Sequence, residues 1–173
     1  MSKRIQPVVL WIAMLAFGNH IPAFAQHSEA QVSNDIESAN KAIVKASFDA
    51  WRAGTGGPFD LLNEDATWTI VGRCVASKTY TSREAFMADV IRPFNARMSK
   101  RLLPTIRGLY ADGNRVIVFF DASAEAHDGQ PYSNTYAWFL EMKSGRIIHA
   151  TAFFDTIEFN DLWSRVRPKP PQP

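Results

Sequence analysis

An α+β fold, a curved antiparallel sheet wrapped round a long helix, is predicted by three features of the sequence. Ile36, Ala39, Ile43, Ala46 or Ser47, and Trp51 recur at helical spacing across 34–53, the pattern of an amphipathic helix. Beyond Ser99 the chain turns to β-rich runs, broken at near-even intervals by Ala111-Asp-Gly-Asn114, His127-Asp-Gly-Gln130 and Lys143-Ser-Gly-Arg146. Such dipeptides between β-favouring runs signal hairpins. Between these regions, Thr81-x-x-Glu84 reads as a capping box that opens a second helix. Helices followed by a run of strands give the α+β class, and consecutive hairpins give an antiparallel meander with one face on the helices. A sheet curled in this way closes into a cone whose mouth is a pocket, the usual place for a ligand.

Each element follows from local chemistry. Residues 1–25 read as a secretory signal: Lys3 and Arg4 precede an apolar run of ten residues, 8–17, and Ala23-Phe24-Ala25 offers the small-x-small site that a signal peptidase cleaves. Ten apolar residues are too few to span a bilayer, so no membrane span is expected once the signal is removed, and the protein is expected in the periplasm or secreted. Polar residues 26–33 read as a flexible linker, and 34–166 as a single domain. The first helix ends at Gly54-Thr-Gly-Gly-Pro58, where glycine and proline break the pattern. A short helix over 59–63 and a first strand over 66–72, rich in β-branched and aromatic residues, follow. Residues 73–80 read as an irregular connection. The second helix carries an apolar face of Phe86, Val90, Phe94 (or Ile91) and Met98, with a kink expected at Pro93. Four strands are delimited at 101–111, 115–126, 131–142 and 146–158, then a short helix at 160–166 and a disordered Pro-rich tail at 167–173.

Composition excludes several classes of function. With the signal's two basic residues gone, 17 basic side chains balance 17 acidic ones. Binding to nucleic acid or to an anionic membrane would need a basic patch that this balance does not supply. The single cysteine, Cys74, has no partner for an internal disulfide and reads as a small buried hydrophobe. No histidines stand at ligand spacing, so no metal site is expected.

The element order and a set of short motifs resemble the NTF2-like superfamily, whose fold is also described as a cystatin-like cone. These motifs are Phe48-x-x-Trp51-x-x-Gly54, Leu61-Leu-Asn-Glu-Asp-Ala-Thr-Trp68, Gly129-x-x-Tyr132-x-Asn134-x-Tyr136 and Gly145-Arg-Ile…Phe153-Phe-Asp-Thr156. Within the superfamily the chain is most similar to the SnoaL-like polyketide cyclases and limonene-epoxide hydrolases. The resemblance covers roughly residues 35–160 and implies that Asp155 takes the place of a pocket aspartate that acts as acid or base. It implies that Asp121 takes the place of the epoxide hydrolases' second aspartate. The arginine that holds such a pair falls on Phe119, and the tyrosine and asparagine that position water fall on Trp68 and Ile70. Two of the five catalytic positions are therefore kept. The ketosteroid-isomerase set falls near Thr69 or Ile70, Ser47 or Phe48, and Ala137, none of which supplies its chemistry.

Two carboxylates facing one apolar pocket would not ionise together freely, which provides an acid and a base near neutral pH. The expected reading is a cofactor-free acid–base enzyme, an isomerase, cyclase or hydrolase, with Asp155 and Asp121 catalytic. Its expected substrate is a small hydrophobic oxygenated molecule. The alternative is a non-catalytic module of the same fold that binds a ligand or dimerises. Strand parity puts His149, Thr151, Phe153 and Asp155 on one face, and Phe119 and Asp121 on another. Trp68, Tyr80, Tyr136, His149 and Phe153 are the candidate ligand-binding residues, although aromatics of this kind are core more often than recognition elements, and such a histidine is more often a satisfied strand or interface residue. An outer-face or turn-capping place is the plain alternative for Asp121. A homodimer through the exposed sheet face is expected from the resemblance.

Overall fold

A computed structural model describes residues 23–169. The signal-peptide reading lies almost wholly outside these residues, as does the end of the tail. Helix α1 (Ala23–Ala53) leads into a 3-10 turn (Pro58–Leu61) and strand β1 (Leu62–Ile70). The expected linker at 26–33 is helical here, continuous with the amphipathic stretch. A two-residue strand β2 (Thr79–Tyr80), not foreseen, pairs antiparallel with β1 through Trp68↔Tyr80.

A helical arm then crosses the mouth of the sheet as α2 (Arg83–Phe86), a π-helical turn (Met87–Ile91) and α3 (Arg92–Asn95). The N-cap is Ser82, one residue past the expected Thr81, and its side chain accepts from the Ala85 N–H. Pro93 has no N–H to give to the preceding turn, and the wider π-turn directly before it absorbs the missing bond. Phe86, Val90 and Phe94 face the core as their spacing predicts.

The meander follows as β3 (Met98–Asp112), β4 (Arg115–Ala126), β5 (Pro131–Lys143) and β6 (Arg146–Phe154). Gly113 and Gly129 hold φ of +56° and +80° in the first two hairpins, a region open to glycine at no steric cost. The sheet order is β2-β1-β6-β5-β4-β3, with β1 running parallel to β6 and all other pairs antiparallel. The last strand stops four residues short of the expected 158, because α4 (Thr156–Arg165) starts there, capped by Asp155.

One face of the sheet curls round α1 and the helical arm. On β5 that face presents Tyr132, Asn134, Tyr136, Trp138, Leu140 and Met142, all buried, while Ser133 and Thr135 between them are exposed. On β6 the inner residues include Ile147 at the start, Phe154 at the end, and the small Ala150 and Ala152 between them. Their small size has a cause: Ala150 stands beside Trp68 and Ala152 beside Trp138 in the ladder, so each alanine leaves room for an indole.

Candidate functional site

Between the inner face and the helical arm lies a cavity of ≈ 270 Å³. Nine aromatic side chains line it, with Ile70, Met87, Val90, Ile91 and Leu102 between them. Trp68 stacks on Phe86 with centroids 4.4 Å apart and meets Trp138 edge-on at 5.0 Å. Trp51 stacks on Trp138 at 6.0 Å, and Phe59 fills the angle between Trp68 and Trp138. Phe94, Phe154 and Phe159 close the far end, with Phe94 stacked on Phe159 at 5.9 Å. Offset and edge-to-face contacts of this kind are the favoured arrangements for aromatic quadrupoles. The exposed rim is Gly56, Asp60 and Asn95.

Asp60 is the one carboxylate bordering this cavity. Its Oδ2 accepts the Gly57 N–H at 2.8 Å, and its Oδ1 lies 3.9 Å from Arg83. Deeper in, the Tyr136 phenol reaches the wall, and behind it stand the Tyr132 phenol and the Asn134 amide. Asn134 binds the Asp155 backbone at both ends: Oδ1 accepts the Asp155 N–H at 2.9 Å and Nδ2 donates to the Asp155 carbonyl at 2.9 Å. Nδ2 also donates to the Tyr132 hydroxyl at 3.0 Å, which lies 2.9 Å from the Tyr136 hydroxyl. Burial pushes the Tyr132 phenol up to about 12 and holds Tyr136 well above the ordinary tyrosine value, so both stay protonated. The Trp138 indole N–H is buried without a nitrogen or oxygen acceptor; the Trp68 and Phe120 rings stand nearly perpendicular to that indole at 5.0 and 4.8 Å.

The sequence-predicted residues divide by face. Trp68 and Tyr136 line the cavity. Tyr80 is buried but does not reach it, because its hydroxyl donates to the Ala76 carbonyl at 2.8 Å and its ring packs on Phe86. His149 and Phe153 are exposed on the outer face; His149 Nδ1 is 2.6 Å from Thr67 Oγ1, and Phe153 packs edge-on against Phe139. Parity grouped His149, Thr151, Phe153 and Asp155 correctly, but that group faces outward.

Asp121 and Asp155 do share one depression, of ≈ 430 Å³, with Glu158 beside them. It opens on the outer face, not into the aromatic cavity. Asp155 is exposed, and its Oδ1 accepts the Ile157 N–H at 2.8 Å as the N-cap of α4. Asp121 receives Arg107 Nε at 2.6 Å and the Thr135 hydroxyl at 2.7 Å. The expectation of two carboxylates in an apolar pocket is corrected: a strand turns alternate residues to opposite faces, and the inner residue at the end of β6 is Phe154. Arg107 on β3 is the cation beside Asp121, a partner that no spacing within one strand reveals.

Among the described residues no cluster of His, Cys, Asp and Glu is arranged to hold a metal ion, and no helix is long and apolar enough to cross a membrane.

Comparison with known proteins matches the SnoaL-like domain family over residues 44–150. No curated protein matches the chain by sequence. Solved structures share the fold. Bal32a, from a soil-derived mobile gene cassette, superposes with a TM-score of 0.62 at 22% identity, over 74% of this chain and 98% of its own. A protein assigned as a SnoaL-like polyketide cyclase from Jannaschia sp. CCS1 gives 0.60 at 16%, over 79% and 96%. TerC, co-crystallised with polyporic acid, gives 0.58 at 17%, over 72% and 98%. The chain belongs to the SnoaL-like domain family, and the matched span ends before Asp155.

Proposed function

We propose that this SnoaL-like domain protein binds a small, largely apolar, oxygenated molecule in its aromatic cavity, without turning it over. The observation that carries this reading is the contrast inside the cavity: rings and aliphatic side chains over most of the lining, and a single carboxylate, Asp60, at the exposed rim. Ligand sites are typically apolar clefts with a few placed polar groups, and Tyr136, backed by Tyr132, supplies one. A general base must come within hydrogen-bond reach of the proton it takes, and the one carboxylate here, Asp60, stands at the exposed rim with its Oδ2 on the Gly57 N–H. TerC was co-crystallised with polyporic acid, and a ligand of that oxygenated aromatic kind suits such walls.

Tryptophan fluorescence tests this directly, since Trp51, Trp68 and Trp138 all line the cavity. Bicyclic ketones or phenols should quench or shift the emission saturably and raise the melting temperature. A panel of such compounds that changes neither would sink the reading.

A second reading, acid–base catalysis through Asp155 assisted by Asp121, is favoured by one observation: both line the ≈ 430 Å³ outer depression with Glu158. A homodimer through the outer sheet face would turn that open depression into an enclosed one. The exposed Phe119 and Phe153 on that face support the dimer, and a single monomeric species in sedimentation at micromolar concentration would count against it. Export rests on the basic start, apolar run and Ala-x-Ala of residues 1–25; finding Met1 still at the N-terminus of the protein isolated from its source would overturn it.

A further inference from the structure

We propose that Tyr136 donates a hydrogen bond to a ligand in the cavity, so that the ligand carries a carbonyl or similar acceptor oxygen at that wall. The inference rests on the cavity reading above and adds the chemistry of its polar contact. It follows from counting protons along one buried chain.

The chain starts at a group whose orientation is fixed. Asn134 meets both the N–H and the C=O of Asp155, so its amide oxygen must face the first and its nitrogen the second; the opposite flip would set like against like. The second amide proton then goes to the Tyr132 oxygen at 3.0 Å. Tyr132 is 1% exposed, and its remaining neighbour is the Tyr136 oxygen at 2.9 Å. A buried hydroxyl left undonated is costly, so the Tyr132 proton goes to Tyr136. Tyr136 now accepts, and its own proton has no acceptor among the described residues. If the pair ran the other way, the orphan proton would sit on Tyr132, away from the cavity wall. Tyr136 borders the cavity, where an incoming oxygen satisfies the last donor. Burial keeps both phenols protonated, so the relay Asn134 → Tyr132 → Tyr136 is intact at neutral pH. Tyr132 and Asn134 are positioning residues, and Tyr136 is the binding group.

The test compares 1-tetralone with tetralin, two probes of near-identical shape that differ by the carbonyl. Affinities are read by tryptophan fluorescence on the full chain, and the carbonyl stretch of bound tetralone by infrared spectroscopy. Wild type should show the carbonyl band shifted to lower frequency, as hydrogen bonding requires. In Tyr136→Phe that shift should vanish, and the tetralone-to-tetralin affinity ratio should fall roughly three- to tenfold, the range for one net hydrogen bond. Tetralin affinity should hold. Tyr132→Phe should reduce the shift without abolishing it, because the donor remains but loses the bond that polarises it. If tetralin binds while the wild-type carbonyl band is unshifted, or the ratio survives Tyr136→Phe, the donor proposal is overturned and the cavity reading stands. If neither probe binds, both are overturned. The wild-type infrared measurement decides the case even should a variant fold poorly.

Discussion

Strands β4 to β6 carry two surfaces of opposite character on the same backbone. Their inner face is Phe120, Tyr132, Tyr136 and Trp138 with alanines between, all buried. Their outer face is Asp121, Thr135, His149 and Phe153, exposed or half-exposed. Every charge on this stretch of strand faces outward, and the inner polar groups, Asn134 and two phenols, are neutral. The difference shows where each kind of chemistry is possible. A carboxylate turned inward would lose its hydration with no cation to replace it. Turned outward, Asp121 keeps Arg107 and Asp155 keeps a helix to cap. The inner part of the cavity is thereby left to dispersion, ring stacking and neutral donors, the Tyr136 hydroxyl among them.

The sharpest way to break this contrast is to remove the inner face's central ring. Trp138 touches Trp51, Trp68, Phe120 and Phe59, so Trp138→Ala should cost about 3–5 kcal/mol, the range for emptying a buried aromatic site. Urea unfolding followed by circular dichroism measures it. A loss below about 0.5 kcal/mol, within the scatter of surface substitutions, would mean that the rings are not packed as described.

Alkali should separate the faces next. Tyr132 has its proton held up to about 12, against an ordinary value near 10, by burial. Below pH 10 both folded and unfolded states keep this proton, and the group's contribution is fully present. Between pH 10 and about 12 the unfolded chain releases the proton first, so stability falls as pH rises. The full span is on the order of 2–3 kcal/mol for a shift of that size. Unfolding free energies at pH 9 and 11 should therefore differ more in the wild type than in Tyr132→Phe. Equal slopes would place Tyr132 in solvent, against its burial.

Much of this was legible in the sequence, and what was missed has a common cause. Helical spacing and the Gly-bearing turns carry the element order because both are local signals, written within four or five residues. Trp68 and Tyr136 were legible as cavity residues, since large aromatics on a half-buried strand face its core. Parity also tied Asp155 to Phe153 and His149. What parity lacks is a sign. After the bulge on β6 the inner set is Ala150, Ala152 and Phe154, and the alanines look less core-like than Phe153; only the register that brings Trp68 and Trp138 over them explains the choice. The same non-local pairing hides Arg107 beside Asp121 and hides β2. The Asn134–Tyr132–Tyr136 chain lies at spacing two along β5 and was visible as residues, but its direction depends on Asp155's backbone, 21 residues away.

Asp155 gives the smallest and most discriminating expected effect, because its two roles predict different variants. As the N-cap of α4 it accepts a backbone N–H through its side-chain oxygen. Asparagine keeps that oxygen, and alanine removes it. Asp155→Ala should therefore lower stability by about 1 kcal/mol, whereas Asp155→Asn should cost a few tenths at most. Neither should weaken binding in the aromatic cavity, since the carboxylate faces the opposite surface while Asn134 holds only the Asp155 backbone. An acid–base role reverses the order: asparagine would abolish turnover as fully as alanine while leaving the fold intact. Denaturation midpoints together with a turnover screen on both variants separate the two cases. Loss of a measurable activity in Asp155→Asn at unchanged stability would move the functional centre to the outer face.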